Sequence, residues 1–538
     1  MTFDGEHDTR TSIFTGRRII AMDGTEPEAF AVRGGRIAAT GAVAELSDRY
    51  PRATTVDLPG ALVCPGFNDA HCHTSQAALQ RVRVDVGGAA SVEQLVRLLA
   101  RRARHTSQGR WVVGQDFDEH TVDARVDRHT LDRVSADHPV LLIEHTFHRA
   151  VVNSAGLRAL GYERTDDAPR GGQLLAGSDG SPDGWLLERA WLDPWLPGTD
   201  RTSIADPGAI DDQLSALDEV HEQLHALGIT SYCDAIVTPV EEALYGAALD
   251  AGRLTARVGM LRWHSYADPN QRAARADDTD AGDKLRVVGI KMMLDGALSG
   301  GTCLCHDPYP SATGRDNGLQ ILDDHEFAGR FGEFHDAGWR VAVHANGDAA
   351  VAKVLDRIEQ LPPRGARHRI EHCSVVSPEL LRRMRRSGVI PVPFGPFVGL
   401  FGDRLLELYG PERAELICAH RSMLEAGLPV GGSSDYPIVS NDPLLAVQSM
   451  VTRRSGSGAL VGGSQRLDPL TALSVYTRGS AAATGEQGRK GQLAVGQLAD
   501  FVALEEDVTS VEPERIGLVR VLSTWVGGEC VWRAPSHV

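Results

Sequence analysis

Cys64-Pro65-Gly66-Phe67-Asn68-Asp69-Ala70-His71-Cys72-His73 closes an apolar run, Ala61-Leu62-Val63-Cys64, and the rest of the chain is read outward from it. On an extended strand, residues two apart point the same way. His71 and His73 therefore present both imidazoles to one side, as a chelate to one metal ion requires. Nothing in the spacing of a bare His-x-His forces a metal, so two ordinary histidines on a half-buried strand is the competing account. The missing ligands have to come from elsewhere in the chain.

Downstream of Pro207 the pattern becomes regular. Ile210, Leu214, Leu217, Leu224 and Leu227 lie at helical spacing, and Gly228 follows as a stop signal. Strand-like apolar runs then recur: Ile229–Asp234, Ala256–Trp263, Arg286–Met293, Arg340–His344, His368–His372, Val389–Pro393 and Pro429–Asp435. Most are separated by helical patterns, such as Glu326–Ala337 and Glu412–Ala426. Strands alternating with helices imply parallel pairing. With the His71 run they fit a closed (β/α)8 TIM-like barrel of α/β class over residues 63–487. Between about 75 and 205 the pattern is irregular. A helix is expected at Val92–Ala103 and a strand at Val140–Ile143, with Gly, Asp and Pro frequent between Asp166 and Asp183. This reads as an insertion after the first barrel strand, partly covering a pocket.

The two ends are β-rich. Runs at Arg18–Met22, Ala29–Val32 and Arg36–Thr40 are broken by Asp23-Gly24 and Gly34-Gly35, a hairpin signal. Gly491–Leu504, with turn glycines and a strand, and the Val519–Trp532 hairpin answer them at the other end. Residues 1–62 and 488–538 are expected to form one small β-sandwich.

A chain of 538 residues exceeds one ordinary core. Its apolar fraction of 42% and charged fraction of 24% are globular. The acidic start, Met1–Asp8, lacks the features of a signal peptide, and no stretch is apolar enough to span a membrane. A formal charge of −17 argues against nucleic-acid and membrane partners and leaves a small-molecule substrate. The eight cysteines are scattered without a Cys-x-x-Cys, as expected for reduced thiols in a cytoplasmic protein. Oligomeric state is open, a homodimer being the commonest outcome.

Barrel chemistry sits at the C-terminal strand ends. Those ends carry His71 and His73, then Lys291, His344, His372 and Asp435. Singly, each has a structural alternative: a hydrogen-bonded histidine, an ion-paired lysine, a turn aspartate. Jointly they point to a metal site.

The chain resembles the amidohydrolase superfamily, in the metal-dependent branch that includes N-substituted formamide deformylases. The matching motifs are Pro65–His73, Val288–Gly296, Val343–Asp348, Arg369–His372, Gly432–Pro437 and Gly496–Asp500; Trp111–Gly114, His148 and Asn153-Ser154 match the branch's insertion. The resemblance implies a two-metal centre. His71, His73 and Asp435 would hold one ion, His344 and His372 the other, and Lys291 would bridge them as a carbamate. A lysine ammonium cannot ligate a cation, whereas its carbamate is an anionic oxygen ligand. Zinc is the default metal. The expected reaction is hydrolysis of an amide-like C–N bond by a metal-bridging hydroxide, with Asp435 as general base. His148 and Asp295 are candidate substrate contacts. Glu371 or Asp69 could orient a ligand imidazole, although strand alternation would turn Glu371 away from His372. Asp348 could cap the helix after His344, Cys72 should point away from the ligands, and His264 and His306 have no assigned place. Two alternatives stand: a one-metal deaminase of a small heterocycle, disfavoured because no glutamate follows His344, and a non-catalytic scaffold.

Overall fold

The computed structural model describes residues 11–535 apart from 120, 200–202, 205, 206, 272–282, 310–316 and 366; the Met1–Asp8 segment lies outside them. Among the described residues, seven parallel strands make a nearly closed sheet: β1 (Phe67–Cys72), β2 (Ile229–Val237), β3 (Arg257–Trp263), β4 (Leu285–Met293), β5 (Val341–Ala345), β6 (Arg369–His372) and β7 (Ile390–Val392), each paired with the next. These strands read as continuous apolar runs because helices cover the sheet and both faces are buried. The helix Ile210–Ala226 lays Leu214, Leu217, Val220 and Leu224 on the core and stops where Gly228 enters the left-handed region.

The expected strand at Pro429–Asp435 is not a regular strand. Its residues nevertheless bond to both edges of the sheet. Gly431 N donates to Pro391 O (3.1 Å) and Gly395 N to Ser433 O (2.8 Å) on the β7 side. Ala70 N donates to Gly432 O (2.8 Å) and Asp435 N to His71 O (2.9 Å) on the β1 side. Gly431 and Gly432 are required by close approach: a Cβ on Gly432 would lie 2.6 Å from the Tyr476 ring, and one on Gly431 2.8 Å from Ala483 Cβ.

Two other expectations are corrected. Glu412–Ala426 is not one helix. A helix spanning Phe397–Ala414, interrupted at Gly410-Pro411, is followed by His420–Glu425, with Cys418 at positive φ in the turn between them. Arg18–Met22 makes only an isolated bridge, Ile19 to Val63.

The remaining sheets frame this core. Both ends of the chain supply four-stranded sheets, one ordered 36–41, 29–33, 12–15, 54–57 and the other 529–533, 521–526, 501–504, 62–65. They share an apolar cluster in which Phe14 packs 4.9 Å from Phe501 and 5.2 Å from Trp525. The buried Arg257–Asp500 pair (2.6 Å) ties the second sheet to β3. Between β1 and helix 210–226 lies a six-stranded sheet with its own core, one cluster of which takes in Trp263 and Met293 of the parallel strands. No helix among the described residues is long and apolar enough to cross a membrane.

Candidate metal centre

The strand ends bring all six expected ligands to one place. His71 is fully buried, and its Nε2 lies 3.2 Å from Asp435 Oδ1. His73 Nε2 lies 3.2 Å from the same oxygen. The ligand atoms of His71, His73 and Asp435 all fall within 4.8 Å of one another. Lys291, from the end of β4, places Nζ 3.5 Å from His71 Nε2. The rings of His71 and His372, and those of His372 and His344, are each 4.6 Å apart between centroids.

Backbone conformation aims these groups. His372 (φ 67°) and Asp435 (φ 66°) both occupy the left-handed region, unusual for residues with side chains and found where surroundings over-determine the fold. The turn at His372 breaks the strand's alternation. Glu371 and His372 therefore both reach the site: Glu371 shares a strand face with Arg369, and the positive φ turns His372, which alternation would send to the other side, round to join it. Glu371 accepts from Arg369 (2.7 and 2.6 Å) and pairs with Nδ1 of His71, fixing the ring whose Nε2 faces Asp435. It orients His71, not its neighbour His372. Asp69 positions backbone: it accepts from His71 N (3.1 Å), Ser434 N (3.2 Å) and the Ser434 hydroxyl.

The charges follow from this packing. Burial pushes the imidazoles of His71, His344 and His372 down, so all three stay neutral, the form that binds a metal. Burial would raise Asp435, but His372, His71 and His73 outweigh it and hold the carboxylate ionised. Burial pushes Lys291 down to about 8 against the pull of Glu371 and Asp435. Burial likewise raises Glu371, and Arg369 and His71 overcome it, leaving it a permanent anion.

A cavity of about 60 Å³ opens on this cluster, lined by His73, Lys291, His344, His372 and Asp435. The 75–205 region supplies its other wall, with Phe147, His148, Trp191 and Trp195. His148 Nδ1 is held by both oxygens of Glu188 (2.9 and 3.1 Å). Burial lowers His148, but Glu188 more than compensates and raises it above the ordinary imidazole value. Trp191 Nε1 is buried with no partner. Neither Glu188 nor Trp191 was legible in the sequence, because neither lies on a barrel strand and no motif marks them.

Other expected residues sit elsewhere. Asp295 is fully buried behind His344 and does not line the cavity; it accepts from Leu304, Asn346 and Gly347 N, each at 2.9 Å. Asp348 is not a helix cap: Gly347 holds that position, and Asp348 accepts from His306 N (2.9 Å), which also places His306. Cys72 turns away into the core beside helix 210–226, as alternation requires.

The residues fit a metal. His372 Nδ1 is buried with no hydrogen-bond partner. His344 Nε2 is engaged by Gly296 O and Asn346 Nδ2, both at 3.1 Å, which leaves its other nitrogen for a ligand. Neutral imidazoles with one ionised carboxylate are the donors that zinc and neighbouring transition metals take.

A model of the amidohydrolase family matches residues 54–532, and one of a bacterial imidazolonepropionase-like composite domain matches residues 29–53. YtcJ of Bacillus subtilis (strain 168), an amidohydrolase by name, is 29% identical over 97% of this chain and 99% of its own. The N-substituted formamide deformylase of Arthrobacter pascens is 28% identical over 93% and 94%. Among solved structures, an uncharacterized metal-dependent hydrolase from Pyrococcus horikoshii OT3 shares the fold, with a TM-score of 0.74 at 24% identity over 94% of this chain and 99% of that one.

Proposed function

The chain belongs to the amidohydrolase family and is a metal-dependent hydrolase of carbon–nitrogen bonds; from that premise we propose that it cleaves the amide-like bond of an N-acyl or N-formyl amine or a cyclic amide. The observation that carries this reading is the convergence of His71, His73 and Asp435 beside Lys291, His344 and His372 on one small cavity. His71, His73 and Asp435 would hold one divalent ion, His344 and His372 a second, and Lys291, as its carbamate, would bridge them. Such a pair supplies Lewis acidity and acidified water at neutral pH. The chain's own groups do the rest. Asp435 takes the proton of the attacking water on its carboxylate and passes it to the leaving nitrogen. His148, pinned at Nδ1 by Glu188, offers Nε2–H to the substrate carbonyl oxygen, where negative charge develops.

The same reading covers the architecture. We take segment 431–435 as the eighth strand of a closed (β/α)8 barrel over 63–487, interrupted by an insertion at about 75–205. The end sheets, 1–62 and 488–538, we take as one β-sandwich.

The test is metal loading, a metal count per chain and a panel of N-acyl and N-formyl amines. Turnover with two ions bound supports the reading; one ion with deamination of heterocycles would replace it by the one-metal alternative. Asp435→Asn should keep the fold and lose at least about 10²-fold in kcat, the low end for acid–base catalysis.

A further inference from the structure

Opposite the candidate ligands, the chamber lining carries no acidic or basic side chain other than His148. Two barrel strands end there in apolar residues, β2 in Ile236 and β4 in Met293. The inner part of this wall is Trp191, Leu192, Trp195 and Met293, all buried. The rings of Phe147, Trp191 and Trp195 follow one another at 5.9 Å between centroids. Five further lining residues keep part of their surface exposed and form the mouth: Phe147, Leu196, Ile236, Pro437 and Ile438. None of the five is polar.

The three polar side chains of this wall are already engaged from behind. Gln76 Nε2 donates to Glu241 (3.0 Å), the Thr146 hydroxyl donates to Glu144, and His148 Nδ1 is held by Glu188 (2.9 Å). Arg83 lies against the Trp195 ring, 4.7 Å from its centroid. None of Glu241, Glu144, Glu188 and Arg83 lines the cavity. A substrate group that projects away from the metal ligands therefore meets carbon surface, with the nearby charges on the far side of it. An uncharged apolar group gains there by leaving water. A carboxylate or an ammonium group would lose its hydration with no counter-ion facing it, a cost of several kcal/mol for each ion.

We infer that the chamber selects amides whose substituent beyond the scissile bond is uncharged and apolar, and that it rejects N-acyl amino acids, peptides and N-acylated diamines. The inference rests on the hydrolase reading for the bond that is cut, but not for what the wall admits.

The experiment compares N-hexylformamide with N-formyl-6-aminohexanoate and N-formyl-1,6-diaminohexane on the metal-loaded enzyme. The hexyl compound should exceed both charged partners in kcat/KM by at least about 100-fold. From N-ethylformamide to N-butylformamide the same constant should rise about fourfold per methylene. Ile236→Lys puts an ammonium group at the mouth. It should raise the carboxylate-to-methyl ratio at least about tenfold and leave the ammonium-to-methyl ratio no higher than in the parent. Ile438→Lys repeats the test from the other side of the mouth. A charged compound cleaved as fast as the hexyl one, no gain with chain length, or a carboxylate-to-methyl ratio untouched by both lysines would overturn the selection. Binding of 2-heptanone, an uncharged carbonyl compound with no bond to cut, separates the two readings by calorimetry. If it binds, and Ile236→Lys weakens it, in a protein that hydrolyses no N-acyl amine, the apolar wall stands and the hydrolase substrate class falls. Hydrolysis of all three formamides at equal rates does the reverse.

Discussion

Glu371 and His372 show how far single residues could be read. The sequence marks His372 as a ligand because it ends an apolar strand, and it marks Glu371 as the neighbour that alternation should turn away. What it hides is the positive φ at His372, a conformation set by tertiary packing and absent from any propensity. That torsion turns His372 to the side that Glu371 already faces with Arg369, two residues earlier on the same strand, so that Glu371 holds His71 while Arg369 neutralises it. The six candidate ligand positions were legible because each follows a run of buried apolar residues. The partners that hold them were legible only as candidates, Glu371 and Asp69, since the bond of Glu371 to His71 and that of Asp69 to Ser434 join residues remote in sequence. Glu371→Gln tests the assignment. The amide keeps the size but cannot hold His71 as an anion does, so affinity for the first metal ion should fall about 10–100-fold, measured by competition with a chelator. Unchanged affinity would show that the Arg369–Glu371 pair serves only the core.

At the scale of elements, apolar periodicity located seven parallel strands to within a residue or two over most of their length. It failed where glycine replaced side chains. The Pro429–Asp435 run, read as a strand, makes no regular one, because Gly431 and Gly432 let the 431–435 segment pass against Tyr476 and Ala483 while it bonds to both β1 and β7. The region between β1 and helix 210–226 was read as an irregular insertion with a single strand at Val140–Ile143, and its six-stranded sheet went unseen because the other strands are short and split by Gly and Asp turns. The Glu412–Ala426 helix failed for the opposite reason. Good helix formers continue through it, but Gly410 and Pro411 end one helix and Cys418 turns before the next. Gly432→Ala should therefore act on the site through the backbone. The added methyl would meet the Tyr476 ring at 2.6 Å, and overpacking of this kind costs about 1–3 kcal/mol. Urea unfolding should show that loss, with a fall in metal content because Asp435 moves with its segment. Gly456→Ala is the control: its methyl meets nothing within 4 Å, so its unfolding midpoint should match the parent.

The whole molecule joins two facts that the sequence showed only separately: many histidines, and a large core. Burial holds His221, His264, His368 and His420 down to about 3 and His225 to about 4, against an ordinary value of 6.5. None of the five is among the proposed ligands. Each is neutral in the folded chain at mildly acid pH and protonated in the unfolded one. The unfolded state therefore binds more protons below about 6.5. Stability is full above that pH and falls as pH drops towards 3–4, by about 1.4 kcal/mol per pH unit for each histidine fully in its window. Between pH 6.5 and 5 Asp69 and Asp295, which burial raises to about 7, hold protons in the folded chain that the unfolded chain has lost, which opposes the histidine slope, so the share of one histidine is read by difference. His225 offers a clean subtraction: its Nδ1 lies 3.0 Å from Ile229 O and its Nε2 2.9 Å from Thr255 Oγ1, contacts that a glutamine can partly replace. In urea titrations of chelator-treated protein, His225→Gln should flatten the dependence of unfolding free energy on pH by close to one proton in this range. A slope identical to the parent's would mean that His225 keeps its proton in the folded chain and that burial does not set the acid limit of this fold.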